Sequence, residues 1–139
     1  YLLASALNGI VAQRLLRRVC EKCRRSVAPP AALLASLGLE PGRGTFVEGA
    51  GCLACGGSGY KGRVGVYEIL NVTEEIRSLI ASSAPSDEIG RAARRAGMRS
   101  LAEDAARKAA LGQTSVEEAL RVTARDVVLL DEAPGRSER

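Results

Sequence analysis

Four cysteines are the residues of this sequence whose type and spacing can do chemistry, and they form two pairs, Cys20-Glu21-Lys22-Cys23 and Cys52-Leu53-Ala54-Cys55. A Cys-x-x-Cys pair puts two thiolates in one tight turn, where they can grip the same tetrahedral ion, and zinc is the metal such a set ordinarily takes. Two pairs fill the shell of a structural site and leave no position for a substrate water. The rival chemistry is thiol redox exchange, in which each pair acts alone, but two matched pairs at clip spacing fit one metal better than two independent dithiols. Cys20, Cys23, Cys52 and Cys55 are therefore the candidate ligands of a structural Zn²⁺.

The second pair continues as Gly56-Gly57-Ser58-Gly59, a knuckle of the kind repeated in the zinc region of DnaJ-type chaperones. Glycines there let the backbone turn so that amides can face the thiolate sulfurs. The chain carries one such knuckle, so the likeness is one of local chemistry.

The elements that must position these pairs can be read from periodicity. Leu3, Leu7, Ile10, Val11, Leu15 and Val19 recur at helical spacing, which predicts an amphipathic helix from Leu2 to Val19, with Gly9 as a weak point or a break in its middle. Its cations, Arg14, Arg17 and Arg18, gather near the negative end of the helix dipole. The 28 residues between Cys23 and Cys52 hold a predicted short helix over 31–37 closed by Gly38, a turn at Pro41-Gly42-Arg43-Gly44 and a strand at 45–47. Alternation over Arg63–Ile69 predicts a strand that pairs with the 45–48 segment. From Thr73 onward the pattern is helical, with Thr73, Ser86 and Ser115 as N-caps and Gly97 and Gly112 as stops. The expected fold class is α+β and mostly α-helical, a small zinc-clipped α/β-hairpin subdomain followed by a helical subdomain. Residues 131–139 are polar, with Pro and Gly, and read as a flexible tail.

Composition narrows the function. At 139 residues with 46% hydrophobic and 3% aromatic content, the chain suits several small packed units better than one aromatic-centred core. The formal charge of +4 weakens as a nucleic-acid signal once four thiolates around Zn²⁺ bring the metal-bound form to about +2. Aromatics for base stacking are scarce as well. The basic run around Cys20 reads first as a solvated helix end that compensates an anionic zinc cluster, and second as a surface for acidic partners or nucleotide. With no His, no G-x-x-x-x-G-K-[ST] loop and acidic residues scattered over helix faces, the sequence offers no catalytic constellation of its own. Paired cysteines without a secretory signal favour a reducing, cytoplasmic setting. The uncharged opening stretch, 13 residues to Gln13, is too short to span a bilayer, and its uncapped start reads as a piece of a longer protein.

The order of blocks carries a resemblance. Val11-Ala-Gln13-Arg14-Leu-Leu-Arg17-Arg18-Val-Cys20-x-x-Cys23, Gly51-Cys52-x-x-Cys55, Gly59-Tyr60-Lys-Gly62-Arg63-Val-Gly65-Val-Tyr67-Glu68, Gly97-Met98-x-Ser-Leu101 and Gly112-Gln-Thr114-Ser-Val-Glu-Glu118 follow one another over most of the chain. In this combination the chain resembles the C-terminal end of the type II secretion and type IV pilus assembly ATPases. The resemblance implies a cytoplasmic hexameric motor whose nucleotide-binding core, with its ATP and Mg²⁺, precedes this segment. Its partners would be an inner-membrane platform protein and the neighbouring ATPase subunits. Residues 1–18 would then be the last helix of that core, 19–71 the tetracysteine zinc subdomain and 72–130 the C-terminal helical subdomain. The cysteines argue for the assembly or secretion branch over the retraction branch. One departure is Ala105, where many members carry Gly after the acidic residue. A stand-alone zinc ribbon that binds nucleic acid is the alternative reading.

Overall fold

The computed structural model describes residues 2–131 and is α+β. In chain order the elements are α1 (Leu2–Ala6), β1 (Gly9–Val19), β2 (Arg24–Ser26), α2 (Ala31–Ser36), β3 (Val47–Gly49), a 3₁₀ turn (Leu53–Cys55), β4 (Tyr60–Asn71), α3 (Glu74–Ala81), α4 (Ser86–Arg95), α5 (Leu101–Ala110) and α6 (Val116–Asp131). The expected tail lies outside the described residues from 132 onward. None of the helices among the described residues is long and apolar enough to cross a membrane.

The helix expected from Leu2 to Val19 is corrected. It ends at Ala6, and residues 9–19 form the strand β1, which pairs with β4. Bonds just beyond the strand ends run from Val72 N–H to Asn8 C=O and from Cys20 N–H to Gly59 C=O, so the pair is antiparallel. Asn8-Gly9 breaks the helix, and a Cβ at Gly9 would lie 3.2 Å from the Leu70 carbonyl oxygen, so the close approach to β4 favours a residue without one. Beyond that point exposure alternates, with Ala12, Arg14, Leu16 and Arg18 turned inward and Val11, Gln13, Leu15 and Arg17 outward, which is the period of a strand. Backbone pairing at long sequence distance has overridden local periodicity. The expected partner of the Arg63–Ile69 strand is corrected with it: β4 takes β1, and β3 instead pairs antiparallel with β2 in the register Arg24 to Gly49, Arg25 to Glu48 and Ser26 to Val47.

By packing, the chain divides into two units, one of residues up to Gln13 with Tyr67–Ser100, the other of Arg14–Val66 with Leu101 onward. The boundary cuts the expected 72–130 block, since α3 and α4 fall in one unit and α5 and α6 in the other. In the first unit Ile76, Ala92 and Ala93 form a buried centre, closed by Leu70, Val72, Leu79, Ile80, Ile89 and Met98. Thr73 caps α3 as expected, its hydroxyl accepting from Ile76 N–H at 3.3 Å. Glu74 and Glu75 follow in the first turn, where they favour the positive end of the helix dipole. Ser86 is not the cap expected of it. Pro85 holds that position with φ −57°, no side chain caps the helix, and Ser86 is already its first residue. A proline fixes the φ the entry to the helix needs.

In the second unit Ala102, Ala105, Ala106 and Ala109 of α5 are buried where α5 packs on α6, with Val116 and Ala119. Ser115 accepts from Glu118 N–H at 3.1 Å, so the predicted cap at the start of α6 is present. Glu118 has no exposed side-chain surface. Its carboxylate receives the Arg17 backbone N–H at 3.0 Å, the Arg17 guanidinium at 2.8 Å and two Arg121 N–H groups at 2.8 and 2.9 Å. Burial alone would raise the Glu118 pKa, but the hydrogen bonds from Arg121 and Arg17 outweigh it and hold the carboxyl at about 2.

A carboxyl depressed from 4.5 to about 2 in the folded protein contributes stability that is present above pH 4.5 and lost as pH falls toward 2. Since both arginines are half-exposed and partly screened, this contribution should be on the order of 2 kcal/mol. Denaturant melts at pH 7 and pH 3 should show a larger acid loss for the wild type than for Glu118→Gln. In the first unit, Thr73→Ala should lower stability by about 1 kcal/mol in the same assay.

Candidate metal centre

The two cysteine pairs reach one another because β1 and β4 deliver them together. Cys20 follows β1 directly and donates its N–H to Gly59 C=O at 2.9 Å, which fixes the start of the first knuckle against the end of the second. Cys23 closes its own turn onto Cys20 C=O at 3.3 Å, and Ala50 N–H bonds Cys23 C=O at 3.0 Å. The β2–β3 ladder, with Arg25 paired to Glu48, thus ends at the cysteine-bearing turns.

In the second knuckle Cys52 is extended at φ −153°, Cys55 N–H and Gly57 N–H return to Cys52 C=O at 3.2 and 2.9 Å, and Gly56 sits in the left-handed region at φ 62°. The crossing of backbones behind it is tight. A Cβ on Gly49 would lie 2.0 Å from the Gly59 carbonyl oxygen. Only glycine lets these strands approach so closely.

The four sulfurs lie within 4.8 Å of one another, with Cys20 to Cys52 at 3.9 Å, Cys23 to Cys55 at 3.9 Å and Cys52 to Cys55 at 3.8 Å. A tetrahedron of sulfurs about 2.3 Å from a central zinc has edges of about 3.8 Å. Three of the six edges match that tetrahedron, and the set could hold one metal ion. Backbone N–H groups of Cys52 and Gly59 both approach Cys55 Sγ at 3.2 Å. Led by the Cys52 amide, these bonds lower the Cys55 thiol to about 6, while burial pushes the Cys23 thiol up to about 11. Amides aimed at a sulfur favour its thiolate, the form that ligates.

The basic run around Cys20 is largely occupied. Arg14 donates to Val122 C=O at 2.6 Å, Arg17 to Glu118, Arg24 to Glu21 at 3.0 Å and Arg25 to Glu48. Tyr60 is covered on one face by the Arg17 guanidinium, 4.2 Å from the ring centroid, and its hydroxyl meets Ser115 Oγ at 2.6 Å. The acidic residue that sequence reading passed over is Glu118. Ser115-x-x-Glu118 signals a capping box, but nothing in the sequence reveals that its carboxylate reaches β1.

The chain matches the model of the type II/IV secretion system protein family over residues 1–121. Over 124 residues it is 44% identical to the type IV pilus assembly ATPase PilB of Thermus thermophilus, covering 87% of this chain and 14% of that protein. It is 41% identical to the type II secretion system protein HxcR of Pseudomonas aeruginosa, over 88% of this chain and 23% of that protein. With the type II secretion system protein E of the same organism it shares 40% identity, over 88% of this chain and 24% of that protein. The chain thus spans less than a quarter of the length of these relatives.

Gly49→Ala should collapse the knuckle, because backbone rather than a flexible side chain meets the added methyl. Gly42→Ala, with φ 78° but open space around it, should cost only the left-handed strain of about 1–2 kcal/mol. Chelator competition on the two purified variants checks this: rapid metal loss for the first, wild-type retention for the second.

Proposed function

Because the chain belongs to the type II/IV secretion system protein family, we propose that it is the zinc-stabilised C-terminal part of a hexameric cytoplasmic ATPase that powers type IV pilus assembly or type II secretion. ATP and Mg²⁺ bind elsewhere in the full-length protein, and this part does no hydrolysis. Cys20, Cys23, Cys52 and Cys55 are ligands of one Zn²⁺, whose bound form supplies folding energy rather than chemistry. The observation that carries this reading is the coexistence of sulfur spacing fit for one tetrahedral ion with identity of 40% and above to both pilus and secretion proteins over most of the chain. The β1 and β4 strands position the knuckles, while Glu118 locks α6 to β1. The appendage so built meets the inner-membrane platform protein and the neighbouring subunits.

Metal analysis of the purified protein should give about one zinc per chain, and Cys52→Ser should abolish it and melt the knuckle region. In the native host, a Cys52→Ser allele should stop pilus assembly or secretion although the nucleotide-binding core is intact. A metal-free chain that folds cooperatively, or a mutant allele with full piliation and secretion, would defeat the proposal.

A further inference from the structure

Leu53 stands at the tip of the second knuckle with 102% of its surface exposed, the most exposed large apolar side chain among the described residues. It cannot fold back, because the turn that carries it is fixed on both sides by Cys52 and Cys55 and by the return of Gly57 N–H to Cys52 C=O. On the facing knuckle Lys22 is exposed and has no ion pair or hydrogen bond among the described residues. The first unit offers the converse shape. A cleft of about 350 Å³ beside α4 has Ile10, Leu70, Ile89 and Met98 in its lining, with the acidic residue Glu68 among them. Glu68 is half-buried and equally without a partner among the described residues.

We propose that the Leu53 tip of one copy seats in the α4 cleft of a second copy, with Lys22 paired to Glu68. The contact is head-to-tail, since tip and cleft are different surfaces, and such contacts generate rings when the rotation closes. It rests on the reading of the full-length protein as a ring of subunits and names one interface within it. Arg94 also lines the cleft, which favours a tip with a single cation over a strongly basic ligand. One Leu and one Lys supply too little to hold a bilayer surface, whereas in a ring the same small contact is repeated at every interface and gains from the high local concentration.

Sedimentation of the full-length protein across a concentration series tests this. Leu53→Asp, Lys22→Glu, Glu68→Lys and the volume-preserving Glu68→Gln should each raise the concentration of half-assembly, by about tenfold for Leu53→Asp. All should keep one zinc and the wild-type melting temperature, because none of these side chains supports the core or the knuckle. The double reversal Lys22→Glu with Glu68→Lys should restore assembly toward wild type. Wild-type assembly by Leu53→Asp or Lys22→Glu, or a double reversal no better than the singles, overturns the contact. A wild-type protein that remains monomeric at every concentration overturns the ring reading itself, and the contact with it.

Discussion

A carboxylate sealed from solvent is the constraint on which the second unit depends. Glu118, one turn into α6, accepts from the backbone of β1 and from two guanidinium groups. Removing one partner of such a cluster leaves a buried charge uncompensated, a far larger loss than the cluster's net gain. The strand it grips runs on through Val19 into Cys20, and Val19 N–H and the Arg17 carbonyl are held by Gln113 and Thr114 from the loop that precedes α6. The first knuckle is therefore aimed by contacts a hundred residues away in sequence. The cysteine cluster forms where this network has already aligned the strand.

The parts legible in the sequence are those whose causes are local. Cysteine spacing depends on the geometry of one turn, and all four residues meet as a set. Gly38 and Gly112 have φ of 67° and 71°, as stops in the left-handed region should, and Thr73 caps α3. The reading failed where the cause is distant. The stretch from Gly9 to Val19 has helical spacing of apolar residues, yet its hydrogen bonds go to β4 some fifty residues on. Charge reading had the same limit. Arg17 resembles a solvated helix cation, but it spans Glu118 and the ring of Tyr60.

With few aromatics, the protein relies on closeness rather than bulk. The α5–α6 contact is built on alanines, and Gly49 and Gly59 bring two backbones together where any side chain would part them. Interfaces of this kind bury little area per residue, so polar ties such as Thr114 to Arg17 and Tyr60 to Ser115 carry more of the specification of the fold than they would in a Leu-rich or Phe-rich core. Many of the described arginines are likewise engaged by nearby carboxylates.

The segment between the knuckles is tethered at both ends, by the β2–β3 ladder and by the cysteine turns, and between them α2 buries Leu34 and packs on α6, which leaves the residues around Gly42 as an exposed apex. Gly42 has open space where a Cβ would stand. A loop anchored in this way can change length without shifting its anchors, because closure entropy grows slowly with added residues. Its apex is thus a natural attachment point for a fluorophore or an epitope that leaves the cysteine turns and the Glu118 cluster untouched.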